Sequence, residues 1–287
     1  VFVKLGTATI ADADIISNSA NENSGGGVCV SSGRVTVANT RVEGNTADDE
    51  GGGVSIWSGA AGMTNTQIVS NSANTGAGVY VDEGTVTMTN TQAVSNTADD
   101  IGGGVCVESG TVAMTNTQIT GNSGWDGGGL DIEEGTATME NTQIVRNTAD
   151  YDGGGVFILV GTATMTNTEI ARNTANQSGG GVSIQSGRAA MTNTQIVRNT
   201  ADHYGGGVYV YAGTATLTGA NIHSNSAGDE GGGLCLGGVG ELEVTGSCII
   251  KNSDTAVYNT FSAGTLTARH NWWGATDGPS GDHGGSG

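Results

Sequence analysis

Glycine triplets begin at Gly25, Gly51, Gly102, Gly127, Gly153, Gly179, Gly205 and Gly231, and Gly76-Ala77-Gly78 fills the one gap. Successive starts are 25 or 26 residues apart. A fixed period of this length marks a chain that stacks one supersecondary unit on the next, because a single unit of that size cannot bury its own apolar face. Roughly ten to eleven such units fit into the 287 residues.

Three short β-patterns recur inside each unit in fixed order. After the glycines comes an alternating apolar pair, as in Val28/Val30, Val54/Ile56, Val105/Val107 and Val208/Val210. Next comes a threonine run, as in "GTVTMTNT" (84–91) and "GTATMTNT" (161–168). "QIVRNTA" follows, with Ile144, Ile170 and Ile196 in one column and Ala149, Ala175 and Ala201 in another. Alternation at period two puts one set of side chains on one face of each strand. The reading is an all-β, single-stranded parallel β-helix, or β-solenoid, with three strands per coil. Its coils would hydrogen-bond about 4.8 Å apart into a rod on the order of 50 Å long.

Composition agrees. Gly accounts for 52 residues and Pro for 1, with aromatics at 5% and charged residues at 13%, so a conventional Leu/Phe core is not available. Disorder is excluded by the β-branched residues that recur in register. The formal charge of −19, from 28 acidic and 9 basic residues, repels phosphate backbones and excludes a nucleic-acid partner. No apolar run approaches the ~18 residues a membrane span needs. No signal-peptide pattern is visible, and Val1-Phe2-Val3 starts in mid-repeat. Such a start is expected of a segment of a longer protein, or of a subunit that stacks end to end.

Two asparagine columns accompany the repeat. One is Asn39, Asn65, Asn90, Asn116, Asn141, Asn167 and Asn193; the other includes Asn96, Asn122, Asn147, Asn173, Asn199 and Asn225. At a coil corner Asn tolerates left-handed backbone, and its amide can bond the amide of the next turn, so both columns read as structural ladders.

These residues resemble the bacterial right-handed parallel β-helix proteins of the pectate-lyase-like superfold. Within it they are similar to the repeats of polymorphic outer membrane proteins, where a GG-apolar strand alternates with an N-x-A corner. "NWWGATDGPSG" (271–281) resembles a motif at the end of bacterial β-helix repeats. Residues 1–260 are thus expected to form the repeat domain and 261–287 its continuous C-terminal end segment. The resemblance implies right-handed coiling and secretion to a bacterial surface. Function does not follow from this superfold, which hosts lyases, hydrolases, adhesins and tail proteins.

Candidate sites lie on the columns. Asp126, Asp150 and Asp152 come from consecutive coils and are candidate calcium ligands, Ca2+ being the one cofactor the sequence suggests; an Asx-turn role competes, because Asn74 and Asn176 replace Asp in the same column. Arg146, Arg172 and Arg198 form a basic column, neutralised by acids such as Glu169 or by an anionic glycan. The outward threonines form a grid like an ice-binding face, though Arg34, Arg188, Glu241 and Glu243 break it. Cys29, Cys106 and Cys235 are expected to point outward in one column, too far apart for disulfides, with Cys248 on another strand, so exposed thiols open to intermolecular pairing are anticipated. Trp272, Trp273, Phe261 and Tyr258 are expected to plug the end of the apolar stack. His203, His223, His270 and His283 are scattered. The near-uniform coils argue against an enzyme, since catalysis on this fold needs a loop that walls a groove.

The expected role is a non-catalytic cell-surface rod, namely an adhesin stalk, surface-layer component or filament subunit that associates end to end or laterally. A polysaccharide-binding or polysaccharide-degrading protein is the alternative, and ice binding a lesser one.

Overall fold

The computed structural model describes residues 1–21, 24–253, 255–260 and 263–274. One coil shows the plan, with strands at Val156–Ile158, Thr162–Thr166, Glu169–Ala171 and Thr174–Ala175. Stacked coils build four parallel sheets of 11, 11, 10 and 9 strands, and each strand pairs only with its counterpart one coil before or after. The third pattern of the sequence therefore contributes two strands. Arg172, between Ala171 and Asn173, takes φ 57° and bends that face at a point where alternation alone gives no warning.

Inside the coils a single apolar core runs from Val3 to Ile249. Each unit adds inward residues from three sheets, such as Val156 and Ile158, Ala163 and Met165, and Ile170, all without solvent exposure. All six methionines of the chain, Met63, Met88, Met114, Met139, Met165 and Met191, stack in one inner column. Full burial of each such side chain stabilises the fold by about 1.5–3 kcal/mol. The short fourth sheet faces inward with alanines, and with Gly124 in one strand; Ala47, Ala73 and Ala98 form a small separate cluster with Ala77 of the neighbouring glycine turn.

The two asparagine columns have different roles. Asn39, Asn65, Asn90, Asn116, Asn141, Asn167 and Asn193 are the left-handed corner residues, with φ between 48° and 52°. Their amides reach one another outside the coil, as from Asn65 Nδ2 to Asn39 Oδ1 at 3.1 Å. The other column is buried. Asn147 Nδ2 donates to Ile119 O and to Asn173 Oδ1, both at 3.0 Å, while the Asn147 backbone N–H donates to the same Oδ1 at 2.9 Å. Asn96, Asn122, Asn173, Asn199 and Asn225 repeat the arrangement. A buried primary amide is tolerated because every donor and acceptor it carries is matched.

The glycine triplet borders this ladder. Gly153 has φ +68°, a value that glycine alone adopts freely. Gly155 needs the absence of a side chain: a Cβ there would stand 2.5 Å from Gly181 O and 2.9 Å from Asn173 Nδ2. Coils therefore leave no room for a side chain where the inner asparagine crosses between them.

At the C-terminal end, Thr265–Arg269 pairs in parallel with Glu241–Thr245, so coiling continues past residue 260. The expected aromatic plug is corrected in part. Trp273 packs against the core, but Trp272 is 48% exposed and Tyr258 lies on the outer face opposite Cys235, on the outward parity of its strand. Phe261, His283 and residues 275–281 of the terminal motif lie outside the described residues.

Two substitutions test this packing. Asn147→Ala would strand the N–H and Nδ2 of Asn122 and the carbonyl of Ile119 in the interior, which is expected to lower stability by about 3 kcal/mol or more in urea unfolding. Gly155→Ala, which overpacks the same contact, is expected to lower it by about 1–3 kcal/mol. Unchanged denaturation midpoints in both would contradict the ladder's role.

Candidate functional site

Outward residues of the first sheet form a column through Cys29, Ser55, Tyr80, Cys106, Asp131, Phe157, Ser183, Tyr209 and Cys235. Alternation makes this a solvent face, yet Ser55, Cys106, Asp131 and Cys235 have no exposure. The glycine turn is the cause: it brings the chain back against this face, so that a Cβ on Gly102 would lie 2.6 Å from Cys106 Cβ. The Tyr209 ring also lies over Gly237, one coil on. The expectation of exposed thiols is therefore corrected for Cys106 and Cys235, while Cys29 and Cys248 are half-buried; all four are free. Burial pushes the Cys235 thiol up to about 11 and Cys106 well above its ordinary value, so neither is poised as a nucleophile.

Asp131 is the anomaly of this column. It is fully buried, and its carboxylate oxygens meet no N–H or hydroxyl donor among the described residues; the group beside it is the Glu133 carboxyl, which bonds it only when one of the two is protonated. Burial first, and then the charges of Glu133, Asp126 and Glu108, raise its pKa well above the usual carboxylate range. Glu133 and Glu108, on the rim where the strands leave the sheet, are raised too, chiefly by burial. On the opposite rim, before the glycines, burial pushes Asp126 and Asp152 each up to about 6. Together these residues make an acidic seam along the outside of the first sheet. Sequence reasoning missed Asp131, and the signal was available: in "LDI" (130–132) a charged residue takes the middle slot that holds Cys, Ser, Tyr or Phe in the coils around it.

The candidate calcium ligands are placed as follows. Asp126 Oδ1 accepts from the Asp152 N–H, and Asp152 Oδ1 accepts from the Ser178 N–H, both at 2.8 Å. Asp126 and Asp152 thus lie one coil apart, each with a carboxylate oxygen committed to the backbone of the next coil. Asp150 is exposed instead, and its own N–H bonds Gly124 O at 3.0 Å. Among the described residues no three His, Cys, Asp or Glu side chains are grouped so as to hold a metal ion. Beside Asp126 and Asp152, Trp125 and Tyr151 stack at 5.7 Å with ring planes 8° apart, and both are over 40% exposed.

The arginine column lies on the other side of the fourth sheet. Arg146, Arg172 and Arg198 are exposed corner residues with φ of 56–58°. The acid expected to neutralise them is engaged elsewhere, since Glu169 Oε2 accepts from Gln143 Nε2 at 3.2 Å. Among the described residues Arg41 pairs with Glu43 and His203 Nδ1 lies 2.7 Å from Asp229 Oδ2, and neither contact includes this column.

Comparison with known proteins gives one family match. A model described as a right-handed beta helix region matches residues 5–149, just over half of the chain. Searches of curated proteins and of solved structures found no match.

The buried seam predicts a stability that depends on pH. A carboxyl whose pKa is raised by folding favours the folded state below its unfolded value of about 4, and that contribution is lost as pH rises through the folded value. For Asp126 and Asp152 the loss falls between about pH 4 and 6. Asp131→Ser, which restores the residue found at Ser55 and Ser183, is expected to be more stable than the parent at pH 7 by about 1–3 kcal/mol, with a smaller gap near pH 4. Thermal unfolding at the two pH values measures this, and a serine variant less stable at pH 7 would contradict it.

Proposed function

Because the chain belongs to the right-handed β-helix family, we propose that it works as a non-catalytic structural solenoid at the bacterial cell surface, as an adhesin stalk, surface-layer component or filament subunit. The observation that carries this reading is the unbroken coil register. Ladder asparagines stay 25, 26 or 27 residues apart from Asn18 to Asn252. No coil in that range adds a loop long enough to wall a cleft, so the surface offers repeated columns of side chains rather than a single reaction centre. A rod of this kind displays chemistry at a fixed axial repeat of about 4.8 Å. The unpaired Arg146, Arg172 and Arg198 suit contact with an anionic surface glycan. The threonine face suits ice less well, because exposed Arg34, Arg188, Glu241 and Glu243 project from it.

A second reading, polysaccharide binding or cleavage along the first sheet, is favoured by the acidic seam beside the Trp125–Tyr151 pair. Stacked, exposed aromatic rings next to carboxylates are a frequent sugar platform. Asp131 itself has no exposure and cannot touch a substrate without a rearrangement, which favours binding over cleavage.

A glycan array followed by turnover assays on neutral and acidic polysaccharides, with and without calcium, separates these readings. The scaffold reading expects no turnover under any condition, and binding of anionic glycans that falls about tenfold or more in Arg146→Ala/Arg172→Ala/Arg198→Ala. Turnover that disappears in Glu133→Gln would overturn it.

A further inference from the structure

Outward residues around the fourth sheet carry an arginine on one margin in three consecutive coils, and Lys251 returns to the same column two coils on. In "RNTAD" (146–150), Arg146, Thr148 and Asp150 are exposed while Asn147 and Ala149 are buried. "RNTAD" recurs at 198–202 with Arg198, Thr200 and Asp202 exposed, and "RNTAN" (172–176) lies between them. Each of these narrow faces carries a cation on one margin and a hydroxyl on the midline. Asp150 and Asp202 give the other margin a carboxylate. The midline residue is Ser or Thr in all nine strands of the sheet, so nothing bulky stands between the margins.

Margin residues of one coil are four positions apart on an extended chain, about 13 Å, so they do not pair within the molecule. None of the three arginines has an ion pair among the described residues. Their left-handed backbone is common to the whole column, which Ser17, Ser70, Ser95, Ser224, Lys251, Gly44 and Gly121 occupy in other coils. Three consecutive coils thus carry an exposed arginine with no ion pair among the described residues, and in two of them the opposite margin carries a carboxylate.

We propose that this face is a self-association surface, on which a second copy of the chain docks face to face with its rod parallel to the first. The symmetry follows from the charge order. A twofold axis along the rod direction exchanges the margins, so Arg146 of each copy lies over Asp150 of the other, and Arg198 over Asp202, at the same coil level. A twofold axis across the rods would set arginine on arginine. Matching is automatic because both copies have the same axial repeat, and the interface is isologous and closed. Arg172 then lies between the two aspartates, and Tyr151, beside the acidic margin, offers a guanidinium a ring face. The net charge of −19 opposes approach only at long range, since it is screened beyond about 8 Å at physiological salt, whereas the margin pairs form in contact.

Sedimentation velocity on the purified chain, with no glycan present, tests this. At about 0.15 M salt the parent is expected to form a dimer that dissociates near 1 M. Arg146→Glu/Arg172→Glu/Arg198→Glu and Asp150→Arg/Asp202→Arg are each expected to dimerise at least about tenfold more weakly. Their equimolar mixture should recover the dimer, because both margins are again complementary. Circular dichroism of each variant confirms the solenoid, and the salt series on the parent stands independently of the variants. A monomeric parent, variants that dimerise as the parent does, or a mixture that stays monomeric would overturn the proposal. So would association only after an anionic polysaccharide is added, which would assign the arginine margin to the glycan.

Discussion

Each inner asparagine commits both amide hydrogens and its carbonyl oxygen to neighbouring coils. That geometry fixes how coils stack. Nδ2 of Asn147 holds Ile119 of the coil before and Asn173 of the coil after, and Asn173 Oδ1 also takes the Asn147 N–H. A slip of one residue would put the amide outside and a threonine inside, leaving buried carbonyls without donors. The third glycine of the triplet follows from the same contact, because it lies against the ladder amide and has no room for a side chain. The core of Val, Ile and Met supplies the driving force; the ladder selects the register in which that force acts.

Once register is fixed, every outward position becomes a column, and function on such a scaffold is a matter of which columns depart from the average. Two do. The outside of the first sheet concentrates Glu108, Asp126, Asp131, Glu133 and Asp152, and buries one of them with only another carboxyl beside it. The fourth sheet places arginines on one margin of a narrow hydroxyl face, with aspartates on the other in two of three coils. Both departures work against stability, one by desolvating charge and the other by stacking like charges on successive coils. Such local conflicts with an otherwise consistent fold are where function is sought.

Much of the fold was legible in the sequence, because a solenoid repeats its constraints. The period, the inward valines, the threonine strands and the parallel stacking all follow from positions that recur in nearly every unit. The fourth strand was not legible: Arg172 turns the chain by a backbone angle, and nothing in "EIARNTA" distinguishes a bend from a continuous strand. Parity also failed on the first sheet. Cys106 does point outward, but the returning glycine turn covers it, and burial from a neighbouring segment leaves no mark on the strand's own alternation. Asp131 was overlooked for a related reason, since an outward aspartate on a strand is unremarkable until the outward face proves to be covered. Asp126 and Asp152 meet through the Asp152 N–H, whereas Asp150, close to them in sequence, is exposed on the outward parity of the fourth sheet.

The claim on which the account rests is that the inner asparagine amides are structural hydrogen-bond groups as protected as the backbone. Hydrogen exchange of side-chain amides, followed by NMR in heavy water, measures it directly. The account predicts that the Nδ2 protons of Asn96, Asn122, Asn147, Asn173 and Asn199 exchange as slowly as the backbone amides of the core strands, while those of Asn65, Asn90 and Asn116 on the outer corners exchange quickly. Equally rapid exchange in both columns would contradict it.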